Sequence, residues 1–281
     1  MHKQLILILF LQLISCNQGN LVILYDLPTI FDEVSGIQTV INSDLIWMLN
    51  DRGNPSKLYA VTENGTIKRE LNIKAKNNDW EDLTSDNEGH IYIGDFGNND
   101  NDRKNLAILK VNNQSLKSTK KVEIERISFK YSDQAEFPPK KKHWYFDCEA
   151  FFYYQDNFYL FTKSRVRKNF GQTSLYKIPA TPGSHVAQYI ATFHTGSKME
   201  SWITGAAISK DGKQVALLTS KSVWMFSNYK GTDFFSGTAT ELELDHNSQK
   251  EGICFKNENT LYITDEKGHG SNGYLYSFKF P

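Results

Sequence analysis

KEGICF, residues 250–255, puts a single carboxylate and a glycine at the head of an apolar run about thirty residues before the chain ends. A strand entering a core does not ordinarily open on a charge. The stretch has counterparts, and they explain it. Glu251-Gly252-Ile253 is followed by TLYITDE (260–266) and GYLYSFKF (273–280). Glu149-Ala150-Phe151 is followed by NFYLFTK (157–163) and SLYKI (174–178). Glu81-Asp82-Leu83 is followed by HIYIGD (90–95) and LAILKV (106–111). Ser35-Gly36-Ile37 precedes DLIWMLND (44–51) and KLYAV (57–61), and Thr204-Gly205-Ala206 precedes QVALLTS (214–220) and SVWMF (222–226).

Each unit opens with a polar residue, usually a small one next, then an apolar one. The openings lie about 46 to 68 residues apart, near or above the spacing of four-stranded propeller blades. The first four units carry a further β-like segment, such as VEIERISFKY (122–131) in the second. The fifth ends after its third strand, and LVILYDL (21–27) is available to complete it and hide an edge. The pattern predicts an all-β, five-bladed β-propeller closed by an N-terminal strand that completes the last blade. Six blades is the competing count.

Residues 1–16, MHKQLILILFLQLISC, read as a lipoprotein-type signal peptide: a short basic start, an apolar run too brief to span a bilayer, and Leu13-Ile14-Ser15-Cys16 in the form of a lipobox. Residues 17–281 then form a single domain, exported and lipid-anchored to a bacterial cell envelope through Cys16. A plain signal peptide with an incidental Cys16 is the alternative. Lys plus Arg and Asp plus Glu both number 32, so no global field draws nucleic acid, and none is expected as a partner. Cys148 and Cys254 fall in non-neighbouring units and are expected as buried free thiols.

In a propeller the innermost strand of each blade lines the central channel, so the unit openings should meet around one axis. Ser35, Glu81, Glu149, Thr204 and Glu251 would then form a ring holding three carboxylates. Carboxylates crowded in a partly desolvated channel repel and shift upward in pKa unless a cation joins them. Every ligand on offer is a hard oxygen, which favours Ca²⁺ over zinc. A channel filled by water is the plainer alternative. Small residues follow most of the openings, and Asp82 breaks that pattern.

The order Ser, Glu, Glu, Thr, Glu, one per blade, resembles the calcium-activated nucleotidases, also called the soluble apyrase family, whose central Ca²⁺ is held by Ser, Glu, Glu, Ser and Glu. LNDRGNPSKLYAV (49–61) and HW…CEAFFYYQDNFYLFTKSR (143–165) are similar to stretches of that family. The resemblance implies a metal role for Ser35, Glu81, Glu149 and Glu251, with Thr204 in place of a serine. It also implies a nucleoside di- or triphosphate as the small-molecule substrate.

Second strands return toward the ring, so Asp51, Asp95, Lys163 and Asp265 should end near it, with Arg52, Arg103, Arg165 and Lys267 close behind. Asp51 is the candidate proton acceptor, and Arg52 and Arg165 are candidate phosphate clamps. GDFGNNDNDRKN (94–105) reads as a mobile rim loop, and His143, Trp144 and Tyr145 as a possible aromatic wall. The competing functions are a non-catalytic propeller with a structural Ca²⁺ that binds a protein or glycan, and another propeller hydrolase of glycosidase, phytase-like or lactonase-like type.

Overall fold

A computed structural model describes residues 20–268 and 273–281. The signal segment and Cys16 lie outside the described residues. Among those described, only short 3-10 turns interrupt an all-β chain, and no helix is long and apolar enough to cross a membrane.

The described residues open with β1 (Asn20–Asp26). β2 (Val34–Thr39), β3 (Ile46–Asn50), β4 (Lys57–Val61) and β5 (Ile67–Asn72) make one antiparallel sheet in chain order. β6 (Trp80–Ser85), β7 (Ile91–Asp95), β8 (Ala107–Val111) and β9 (Glu125–Tyr131) form a second meander. β10 (Asp147–Tyr154), β11 (Asn157–Lys163), β12 (Gln172–Pro179) and β13 (Gly183–His194) form a third. The long β13 pairs in parallel with β9, Gly183 opposite Ile127 through Ala187 opposite Tyr131, and merges these two meanders into an eight-stranded sheet. β14 (Gly205–Ile208), β15 (Gln214–Leu218), β16 (Ser222–Ser227) and β17 (Thr238–Glu243) follow as a separate sheet. β18 (Lys250–Asn257), β19 (Thr260–Asp265) and β20 (Tyr274–Lys279) end the chain, and β1 completes their sheet by pairing antiparallel with β20.

Burial follows from each strand's place. β3, β7 and β19 are buried throughout and read as continuous apolar runs, as strands covered on both faces do. β5 and β17 are outermost in their sheets and bury little beyond Leu71 and Leu242. β2 packs against β6 and β18, β10 against β6 and β14, and β14 against β18, so these inner strands close a ring. Apolar clusters fill the gaps between successive meanders. Trp47 and Leu58 meet Trp80 and Ile93, Tyr92 and Phe96 meet Phe151 and Phe158, and Phe161 meets Val215 and Phe226. Leu218 joins Ile253 and Leu261, and Ile37 joins Cys254 and Tyr262 to close the circle. Cys148 and Cys254 are buried and free, as expected.

The inner strands approach closely at the axis. A Cβ on Gly36 would lie 2.9 Å from the Leu83 nitrogen, which leaves no room for a side chain there. Asp82, the exception to the small-residue pattern, is fully buried. Its carboxylate accepts hydrogen bonds from the Leu83 amide at 2.7 Å and, across to β10, from the Phe151 amide at 3.1 Å. Asp82 thus supplies acceptors for inner-strand N–H groups that would otherwise be buried without partners. Burial pushes its pKa well up, and these amides act against that shift.

Candidate metal centre

The unit openings share one backbone device. Register shifts fall between Val34 and Gly36, Trp80 and Asp82, Cys148 and Ala150, and Lys250 and Gly252. Ser35, Glu81, Glu149 and Glu251 are therefore the extra residues of β-bulges at the starts of the inner strands. Thr204 sits just before β14, and its N–H donates to the Leu218 carbonyl at 3.1 Å, although Leu218 is already the partner of Gly205. A bulge turns a side chain that regular pleating would aim elsewhere, and here it occurs in four of the five units.

The five do not form one equivalent ring. The Ser35 hydroxyl donates to the Trp80 carbonyl at 3.0 Å, and the Thr204 hydroxyl to the Lys250 carbonyl at 2.6 Å. Both hydroxyls stitch one inner strand to the next. Glu149 is held by Lys163, whose ammonium lies 3.0 Å from Oε2, and by Arg165, 3.1 Å from Oε1. Burial disfavours the charge on Lys163, but the Glu149 and Glu251 carboxylates outweigh it and hold its pKa above the usual lysine value. Arg165 also pairs with Asp147 at 2.5 Å and donates to the Asn99 side chain. Its guanidinium is committed within the protein, which does not suit the phosphate clamp expected from the sequence. Lys163 and Arg165 each lie 5.0 Å from the Trp202 ring centre.

Glu81 is in a different state. It is only 8% exposed, and among the described residues no donor or cation pairs with it. Burial raises its pKa well above the carboxylate range, and Glu149, Asp51, Asp79 and Asp147 add repulsion. Carboxylate oxygens of Asp51, Asp79 and Glu81 lie within 4.8 Å of one another. Burial, then the neighbouring Asp51, lift Asp79 to about 7. Asp51 is half-buried and also shifted upward by burial, although its own oxygen accepts from the Arg52 amide. Arg52 is 57% exposed, with Nε 3.6 Å from Asp79. Gly97 roofs the cluster: a Cβ there would fall 1.9 Å from a Glu81 oxygen and 2.6 Å from Asp79, so only glycine lets both carboxylates stand beneath it.

Asp79 and Asp147 were not singled out from the sequence. The signal was present: each stands two residues before an anchor, and strand periodicity of two places such pairs on one face. Segment 94–105 is not a free rim. The Asn98 amide donates to Asp147, and the Asn101 side chain accepts from the Phe146 amide. The Arg103 guanidinium donates to the Gly97 carbonyl and pairs with Asp95, which fastens the segment over the mouth. Trp144 donates to Pro139 within its own loop. Asp265 accepts from Tyr276 and Ser248, and Lys267 pairs with Asp32, so both act in structure.

A cavity of about 1060 Å³ lies at the other mouth of the ring, where the inner strands turn into hairpins. Its lining includes Gln38, Thr84, Tyr153 and Ser209 and gathers no comparable carboxylate cluster.

No protein-family model and no curated protein matches the chain. Solved structures do resemble it. The PQQ-bound aldose sugar dehydrogenase of Streptomyces coelicolor is 8% identical, covers 94% of this chain and 99% of its own, and has a TM-score of 0.53. A putative gluconolactonase is 9% identical over 93% of this chain and 92% of its own, with a TM-score of 0.52. A gluconolactonase of Xanthomonas campestris is 10% identical over 95% of this chain and 91% of its own, with a TM-score of 0.51. At such identities the likeness is one of fold: the chain is an all-β protein of propeller type, with an acidic cluster of Asp51, Asp79 and Glu81 at one mouth of its inner-strand ring.

Proposed function

We propose that the chain is an exported, five-bladed propeller hydrolase that binds Ca²⁺ through Asp51, Asp79 and Glu81. The blade count takes the eight-stranded sheet as two blades joined at their outer strands, and the strand from Asn20 to Asp26 as the last strand of the fifth blade. The carrying observation is Glu81: a buried carboxylate crowded by Glu149, Asp51, Asp79 and Asp147, with no ion pair of its own among the described residues, is unstable unless a cation or proton joins it. Three carboxylates at this separation, all hard oxygen donors, fit calcium. Export and the lipid anchor on Cys16 belong to the same reading.

A cation bound there would supply Lewis acidity to the scissile carbonyl or phosphoryl group. Asp51 serves in this arrangement as the outermost ligand rather than as a free proton acceptor. Glu266, half-buried on the same mouth and lifted by burial to about 8, holds a proton at neutral pH that it can pass to a leaving group. Arg52 is more open to solvent than Lys163, Arg165 or Arg103 and can steer a polar substrate. Lys163, Arg165 and Arg103 are all engaged by carboxylates. A mouth so rich in acid, with its basic groups occupied, suits an uncharged ester or lactone better than a polyphosphate. The nucleotidase reading stands second, favoured by the convergence of the bulged openings.

The test is hydrolysis by the purified chain of gluconolactone, GDP, ADP and phytate, each with Ca²⁺ and with chelator. Calcium-dependent lactone hydrolysis that is lost in Glu81→Gln is the expected result. Calcium-dependent phosphate release with the lactone untouched would give the nucleotidase reading instead. No cation-dependent turnover of any of these would leave a binding propeller.

A further inference from the structure

We propose that Lys163 is the resident cation of one half of the mouth: its ammonium neutralises Glu149 and Glu251 and so confines a divalent ion to Asp51, Asp79 and Glu81. The inference rests on the cation site proposed above, but its evidence is separate. Lys163 pairs with Asp147, two residues before Glu149; Asn50, Asp95 and Asp265 pair one residue before their anchors, so the positions that correspond to Lys163 are the next ones along, Asp51, Phe96 and Glu266. Only one unit of the repeat places a cation at this position, directly beside a bulged glutamate.

The geometry allows little else at that spot. The Lys163 side chain is buried, its ammonium is 3.0 Å from Glu149 Oε2, and the Trp202 ring covers it at 5.0 Å. Burial raises the pKa of Glu251, and the Lys163 charge acts against that shift. A divalent ion on the Glu149–Glu251 side would have to share the space with a fixed positive charge, and repulsion in a poorly hydrated site is large. On the other side no ammonium or guanidinium is bound to Glu81 among the described residues. The repeat supplies polar opening side chains all the way round, and a lysine in one blade divides their use. Lys163 acts here as a positioning residue through the carboxylates it occupies.

The experiment is a calcium count on the full chain by equilibrium dialysis, for wild type, Lys163→Met, Lys163→Met with Glu149→Gln, and Glu81→Gln. Lys163→Met is expected to bind one more calcium per chain than wild type, and adding Glu149→Gln should remove the gain. Equal counts for wild type and Lys163→Met overturn the proposal. The wild-type count tests the cation site itself, since Glu81→Gln should abolish it. If wild type binds none and Lys163→Met gains one, the role of Lys163 stands and the cation site falls. Should Lys163→Met fail to fold in chelator, recovery of its cooperative melt on adding calcium supports the proposal, and failure to fold in calcium counts against it. A purely packing role for the lysine would leave the count unmoved.

Discussion

The two ends of the inner-strand ring are made from the same strands and behave oppositely. At the hairpin end the polar groups satisfy one another: the Ser85 hydroxyl donates to the Thr39 carbonyl at 3.0 Å, Thr39 to Phe255 at 3.2 Å, and the Tyr153 amide to the Thr84 hydroxyl at 3.1 Å. The cavity there is wide, and its polar lining is mostly uncharged near the axis. At the starting end bulges bring carboxylates together faster than the protein supplies partners for them. Neutral hydroxyls can both donate and accept, so a closed circuit of them is stable by itself. Carboxylates only accept, and a circuit of them needs cations. The first end is held by the fold. The second is held partly by Lys163 and Arg165, and is left open at Glu81.

The comparison breaks most visibly at Glu149. Replacing it by Gln leaves Lys163 and Arg165 buried beside a neutral group, a loss of about 3–5 kcal/mol for a severed buried pair. Urea unfolding should show this loss, while added calcium should still raise the melting temperature, because the ion's ligands are intact. A variant as stable as wild type would mean that the two mouths are held in the same way.

A smaller effect concerns pH. Asp79 is raised from 3.8 to about 7 in the folded chain, so the folded state holds this proton more tightly than the unfolded one. Its contribution to stability is complete below pH 3.8 and is lost as pH rises through about 7. In chelator the melting temperature should therefore fall over that window, calcium should reverse the fall, and Asp79→Asn should flatten it. A melting temperature that climbs across the window in chelator would refute the crowding of carboxylates in this cluster.

The smallest effect is expected at the other end. Lys210 is exposed on the hairpin-side cavity, and Lys210→Ala should change stability by no more than ~0.5 kcal/mol. Calcium-dependent hydrolysis should be unaffected. Loss of turnover in Lys210→Ala would move the active mouth to the wide cavity.

Much of the fold was legible because strand signals are local. KLYAV and NFYLFTK match β4 and β11 residue for residue, and the strand needed to complete the last sheet was found at the start of the described chain. Burial on both faces produces the apolar runs that mark β7 and β19, and the recurrence of a polar residue before a small one marks the bulges. The sequence by itself therefore determined the strands, the repeat and the side chains that open each unit. Only the tertiary structure decided which opening carboxylate has a partner. Lys163 reaches Glu149 from the next strand, Arg165 binds Asp147 at the start of β10 and Asn99 in the segment between β7 and β8, Gly97 makes room over Glu81, and Asp82 fills the axis by accepting the Phe151 amide. Periodicity along a strand reports which face a residue takes, whereas charge compensation depends on distances between strands far apart in the chain.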